Sequence, residues 1–149
     1  MPNTSYSLNL TDQLDYAAEV AVGHMLAGYN IAQAGYNDWK PLSIFVRDPQ
    51  SGDVVGGLVG RTSFKLFFLD LFALPDAARG KGLGSELLAK AEAEAEAIRR
   101  GCVAAVLVTI HFQAPAFYAR HGWEEFGRIE IAPPGHTRVY MRKSLSADG

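Results

Sequence analysis

Three glycines at alternate positions, Gly80, Gly82 and Gly84, stand between an apolar run and the first turn of an amphipathic stretch, with Arg79 and Lys81 interleaved. Glycine admits backbone dihedrals closed to other residues and lets an oxygen approach where a Cβ would block it. The first amides of a helix have no internal acceptors, and the helix dipole favours an anion there. The combination is a backbone cradle for a pyrophosphate, with two cations on its rim. Two well-known anion loops do not fit. A dinucleotide fingerprint requires a further glycine where this chain has Ser85, and a nucleotide-hydrolysing loop requires Lys followed by Ser or Thr where Lys81 is followed by Gly82. The plain alternative is a glycine-rich connection without a ligand. It is weakened by the coincidence of three glycines, two cations and a strand-to-helix context.

The elements that must position this loop follow from periodicity. Residues 64–74 read as an apolar strand buried on both faces, leading into the loop. From residue 82 to residue 100, Leu83, Leu87, Leu88, Ala91, Ala95 and Ile98 recur on one helical face, and Arg99-Arg100-Gly101 supplies cations and then glycine at the end. Residues 102–109 form a continuous apolar run, so strand, loop, helix and strand make a parallel crossover unit. Upstream, residues 5–10 alternate like a first strand. Thr11 or Asp12 can cap a first helix carrying Leu14, Ala17, Ala18, Ala21 and Met25, and a second short helix is expected around residues 29–34. Strands at 42–47 and 54–62 flank the turn Asp48-Pro49-Gln50-Ser51-Gly52-Asp53. A short helix at 114–121 has Pro115 in its first turn, and strands near 124–131 and 137–142 flank Ala132-Pro133-Pro134-Gly135. The fold class is α/β: a mixed central sheet with helices on both faces.

Composition sets the bounds. At 149 residues, 48% of them hydrophobic, the chain fits a single domain, 1–149, with one core. A net charge of −2 argues against broad nucleic-acid binding, which needs a basic face. The start Met1-Pro2-Asn3-Thr4-Ser5 lacks the pattern of a secretory signal, and the apolar stretches at 66–74 and 102–110 are too short to span a bilayer. One cysteine, Cys102, excludes an intrachain disulfide and suits a reducing compartment. A soluble, cytoplasmic protein with no membrane and no nucleic-acid partner is expected. Cys102 and the scattered His24, His111, His121 and His136 show no metal-ligand spacing, so no metal is expected either.

Arg79-Gly80-Lys81-Gly82-Leu83-Gly84 resembles the Arg/Gln-x-x-Gly-x-Gly/Ala signature of the GNAT superfamily of N-acetyltransferases. Ala114-Pro115-Ala116-Phe117-Tyr118-Ala119-Arg120-His121-Gly122-Trp123 resembles its second motif, and the element order is similar from about residue 4 to residue 143. Phe112-Gln113-Ala114-Pro115-x-Phe117-Tyr118 and Pro133-Pro134-Gly135-His136 look like a bacterial small-protein subgroup.

The resemblance implies a sheet of six to seven strands flanked by about four helices and splayed at the cofactor-binding strands. It implies acetyl-CoA as acyl donor, a primary amine on a small molecule or peptide as acceptor, and direct attack of one on the other. The loop, Arg79 to Gly84, would hold the pyrophosphate. A bulged strand segment, Phe72-Ala73-Leu74, would pair its free backbone with the pantetheine arm. Tyr118 matches the family's tyrosine that protonates the departing thiolate. Asp70, among Leu69, Leu71 and Phe72, is a candidate base through apolar surroundings; pairing with a neighbouring cation or facing solvent is the alternative. His111 stands where the family often has an asparagine. Trp39, Tyr29 and Tyr36 fall in the segment that helps form the family's acceptor pocket. Family members often form homodimers through their terminal strands. A non-catalytic acyl-CoA-binding sensor or interaction module is the alternative function.

Overall fold

The computed structural model describes residues 5–97 and 99–145. The chain forms two compact units, one running to Asn37 and one beginning at Asp38.

The first unit is built on helix α1, Tyr16–Ala34. Asp15 caps it, its side chain accepting from the Ala18 amide at 3.0 Å. Thr11 and Asp12 instead lie upstream of the cap, Thr11 accepting from the Gln13 amide. The helix runs through Gly28 to end at Gly35, which takes a left-handed conformation (φ 87°). An interior glycine costs about 1 kcal/mol against alanine, which a 19-residue helix absorbs, so the separate helix expected at 29–34 is the end of α1. Residues 7–10 take no regular structure, since alternation makes a strand only where an edge pairs with it.

The second unit holds, among the described residues, a six-stranded mixed sheet in the order β1-β2-β3-β4-β6-β5. The strands are β1 (Lys40–Arg47), β2 (Val54–Ser63), β3 (Leu66–Ala73), β4 (Ala104–Ile110), β5 (Glu124–Ile129) and β6 (Arg138–Ser144). Helix α2, Leu83–Glu96, follows a 3-10 turn at Asp76–Ala78, and α3, Pro115–Arg120, follows β4. Three α-helices are thus described where about four were expected, because two of those expected are the single α1. Leu87, Leu88, Ala91 and Ala95 bury one face of α2. Leu88, Ala91 and Ala95 pack with Leu58, Phe67, Leu69, Ala105 and Leu107 of the sheet and with Tyr118 and Trp123. Burial of a side chain such as Leu58, Phe67 or Leu88 is worth about 1.5–3 kcal/mol each. No helix among the described residues is long and apolar enough to cross a membrane.

Helix α2 ends a turn earlier than its sequence suggests. Ala97 leaves helical geometry, and Arg99 and Arg100 fold back onto Glu94. Arg100 also donates to the Thr62 hydroxyl (2.9 Å) and the Pro41 carbonyl (3.1 Å), so it ties α2 to β1 and β2 rather than extending the helix. Ile98, expected on the apolar face, lies outside the described residues, as do Met1 to Thr4.

The strand expected from residue 64 begins at Leu66 because Phe64 (φ 46°) and Lys65 (φ 68°) form a two-residue hairpin turn. Such turns demand positive φ at both central residues, which side-chain-bearing residues adopt at a cost of about 1–2 kcal/mol each. Lys65→Gly should therefore raise stability by roughly 0.5–1 kcal/mol, the relief of strain exceeding the added freedom of the unfolded chain. The urea midpoint measures it; an unchanged or lowered midpoint would show that the turn carries no such strain.

Candidate active site

Strands β3 and β4 run parallel and pair only from Leu66↔Ala104 to Leu69↔Leu107. Beyond that point β3 stays with β2 as far as Ala73↔Gly57, while β4 stays with β6 as far as Ile110↔Arg138. The sheet is therefore splayed at the end of β3 that leads into the glycine loop. The parting coincides with a bulge. Gly60 pairs with Leu69 and Val59 with Leu71, leaving Asp70 as the extra residue. Gly60 permits this close approach, because a Cβ there would sit 2.5 Å from the Phe68 carbonyl oxygen. The bulge falls two residues upstream of Phe72-Ala73-Leu74, and those residues follow it along the opened edge.

After the 3-10 turn the chain enters the loop. Gly80 (φ 75°) and Gly82 (φ 79°) are both left-handed, and a Cβ built on either meets no protein atom within 4 Å. Gly82 is the N-cap of α2 and offers no side chain to its amides; the first amide with a helical acceptor is that of Glu86. The amides of Leu83, Gly84 and Ser85 thus head the helix without a capping side chain, as an anion cradle requires. Arg79 pairs with Asp76 at 3.1 Å, and Lys81 lies exposed between the glycines. Gly84 has a different task. A Cβ there would come within 3.4 Å of the Phe117 ring, so its absence lets α2 lie close to α3.

Tyr118 is buried in α3, its ring edge-on to Phe72 (6.3 Å), Phe117 (5.4 Å) and Trp123 (5.9 Å). Phe72 belongs to the opened edge of β3, so the phenol stands beside the splay. Among the described residues no buried side-chain polar atom lacks a partner, and the hydroxyl makes no hydrogen bond to protein, so it reaches accessible space. Burial pushes its pKa up to about 12, which keeps it a proton donor at neutral pH.

Asp70 is not in the apolar setting expected of it. Its two carboxylate oxygens both accept from Arg61, at 2.7 Å, and the Arg61 guanidinium lies over the Phe68 ring at 4.4 Å. The cation-paired alternative is the one observed. Cys102 is buried, and burial pushes its thiol up, the reverse of what activates a nucleophile.

Two residues outside the expected set shape the site. The Gln113 side-chain oxygen accepts from the Thr109 hydroxyl (3.1 Å) and the Ile110 amide (3.0 Å), so it closes the end of β4 and fixes the turn into α3. His121, the C-cap residue of α3, meets Ser85 of α2, its Nε2 2.9 Å from the hydroxyl. The spacing Gln113 to Pro115 hinted at the first; nothing local in the sequence pairs residues 85 and 121.

The remaining histidines lie apart from these groups. His136 turns its ring onto Phe112, and His24 lies in α1. His111 lines an open cavity of about 290 Å³ on the far side of α3, with Ala116, Ala119 and Trp123, and none of the loop residues nor Tyr118 borders it. Tyr29 falls within α1 and Tyr36 just past it, both in the first unit, whereas Trp39 belongs to the second. No cluster of metal-ligating side chains occurs among the described residues.

Residues 14–123 match the model of the acetyltransferase (GNAT) family. The chain belongs to that family. An acetyltransferase of Agrobacterium fabrum is 35% identical over 134 residues, 90% of this chain and 96% of its own length. Blasticidin-S acetyltransferase of Streptomyces morookaense is 38% identical over 108 residues, 71% of this chain and 79% of its own. Among solved structures, a protein of Agrobacterium tumefaciens described as an acetyltransferase superposes with a TM-score of 0.78 at 34% identity, covering 93% of this chain and 99% of the other. A Bacillus cereus acetyltransferase gives 0.69 at 26%, covering 91% and 97%. The GNAT fold expected from the two motifs is the fold observed, and membership makes the chain an N-acetyltransferase enzyme rather than a non-catalytic binding module.

Proposed function

We propose that this GNAT enzyme transfers the acetyl group of acetyl-CoA to the primary amine of a small molecule or peptide by direct attack. The observation that carries the reading is the meeting of an uncapped, doubly left-handed glycine loop with a splayed strand edge and an unpartnered buried phenol. Residues 80–84 fit a pyrophosphate, because the amides of Leu83 and Gly84 head α2 uncapped and a Cβ on Gly80 or Gly82 would meet no protein atom within 4 Å, with Arg79 and Lys81 supplying charge at the rim. The backbone of Phe72-Ala73-Leu74 lies on the opened edge and can pair with an amide-bearing arm as an added strand does. The bound donor supplies a thioester, whose carbonyl carbon accepts the amine and whose sulfur leaves. Tyr118 offers its proton to that sulfur. Asp70, on the bulge itself, is the candidate to receive the proton of an ammonium acceptor; it would do so while sharing its oxygens with Arg61.

The named activity of the Streptomyces relative supports a small-molecule acceptor. The role of Gln113 in ordering the turn into α3 gives the subgroup motif Phe112-Gln113-Ala114-Pro115 a physical meaning. The family match crosses both compact units, which supports one catalytic domain over 1–149. Cytoplasmic residence rests on the single, buried, free cysteine, and β5, an edge strand, would accommodate a homodimer.

Thiol release from acetyl-CoA across a panel of amines, blasticidin S included, tests the reading. At least one amine should raise release well above the rate of hydrolysis, and Asp70→Asn should lower that amine-stimulated release by about a hundredfold. Release that no amine stimulates would refute the transfer reaction, and an Asn variant of full activity would leave Asp70 as a partner of Arg61 only.

A further inference from the structure

Helices α2 and α3 bring the two halves of the site together, and one contact joins them through polar side chains. Ser85 stands in the first turn of α2, directly after the glycine loop. His121 is the C-cap residue of α3, three positions beyond Tyr118. The Ser85 hydroxyl and His121 Nε2 are 2.9 Å apart in a part-buried setting. The imidazole also lies 4.8 Å from the Phe117 ring, and Phe117 in turn lies against Gly84 and Tyr118. The His121 amide donates to the Tyr118 carbonyl at 2.9 Å. One side chain is thus bonded to the helix of the anion cradle while its backbone is bonded to the residue that bears the phenol.

A serine beside a histidine also suggests a nucleophile and its base. That arrangement needs a third group to orient the imidazole. Among the described residues no carboxylate bonds to His121, and Lys143, which a Cβ on Gly122 would meet at 3.4 Å, is engaged with Glu92. Direct attack by the amine needs no such nucleophile. The pair is better placed to hold than to react.

We propose that His121 is a positioning residue: through Ser85 and Phe117 it locks α3 against the first turn of α2 and so sets the Tyr118 hydroxyl at a fixed distance from the cradle. The inference rests on the reading of Tyr118 as proton donor to the leaving sulfur. A cofactor gripped at one end and protonated at the other demands such a lock, because its two contact points lie on different helices. A misplacement of about 1 Å at a reacting centre can cost a hundredfold in rate.

The test compares Ser85→Ala, His121→Ala, the double variant and His121→Gln. Each single alanine variant should lower kcat roughly ten- to a hundredfold while changing KM for acetyl-CoA less than about twofold. The double variant should be no slower than the worse single one, since both remove the same contact. His121→Gln, whose amide can reach the Ser85 hydroxyl, should recover most of the rate. A lowered melting temperature with unchanged kcat, or single losses that multiply in the double variant, would overturn the proposal. A second readout stands apart from the donor's identity. The ¹³Cζ resonance of Tyr118, identified by its loss in Tyr118→Phe, should shift or broaden in both single variants. An unmoved signal overturns the lock even if acetyl-CoA proves not to be the donor. No thiol release by the wild-type protein, together with a moved resonance in both single variants, refutes the acetyl-transfer reading and leaves the lock standing.

Discussion

Gly82→Val should abolish measurable CoA binding, with an affinity loss of at least about a hundredfold. Two effects combine. Gly82 has φ 79°, and a β-branched residue is a genuine outlier there, at a cost of about 1–3 kcal/mol. The chain would relieve this by swinging the peptide, which re-aims the amides heading α2. If the left-handed geometry held instead, the new methyls would occupy the space in front of those amides, where no protein atom lies within 4 Å. A hydrogen bond to a charged group is worth about 1.5–3 kcal/mol, so losing two exceeds the hundredfold threshold. Strain alone is controlled by Gly101→Val. Gly101 has φ 60° beyond the opposite end of α2, so this variant should be destabilised yet bind CoA as before. Calorimetric titration with CoA decides. Undiminished affinity in Gly82→Val would place the pyrophosphate elsewhere, and equal loss in both variants would assign the effect to general destabilisation.

What the sequence discloses and what it hides divides along the range of the interactions. The loop's conformation was legible because left-handed backbone at Gly80 and Gly82 is what glycine spacing reports directly. Two of the three described hairpins, with their turns at 48–53 and 132–135, and the α2 face were legible for the same local reasons, turn residues and periodicity. Boundaries moved where a distant partner took over: Arg99 and Arg100 look like the last turn of a helix until Thr62 and the Pro41 carbonyl claim Arg100. Phe64 and Lys65 look like strand residues, and only the register of β2 on β3 makes them a turn. Asp70 shows the limit most clearly. Its apolar neighbours in sequence point alternately to two faces, so they do not enclose it, and the side chain that does meet it is nine residues back on β2. The Ser85–His121 contact spans 36 residues and has no local signature at all.

Tyr118→Phe separates packing from chemistry more cleanly than any other change in the site. The ring contacts with Phe72, Phe117 and Trp123 survive, and the lost hydroxyl leaves no protein group without a partner. Stability near pH 7 should stay within about 0.5 kcal/mol of wild type. The rate should not. An ordinary thiol has a pKa of about 8.5, so complete proton transfer from a phenol at about 12 to a thiolate runs uphill by several kcal/mol. In its proposed role the phenol would therefore act chiefly by donating a hydrogen bond as charge gathers on sulfur, and a thiolate already leaves readily. The expected loss in kcat is about ten- to a hundredfold, at the low end of acid catalysis. KM for acetyl-CoA and CoA affinity should hardly change. The pH dependence has a definite sign. The fold raises this acid's pKa from 10.0 to about 12, favouring the neutral form, so its contribution is complete below pH 10 and is lost as pH climbs through about 12. No decline of rate between pH 8 and 10 should trace to this phenol. Between pH 10 and 12 wild type should lose stability relative to the Phe variant, which has nothing to ionise. Unchanged turnover in Tyr118→Phe would remove the residue from the acid role, and the unpartnered hydroxyl would then mark only where the core meets the splay.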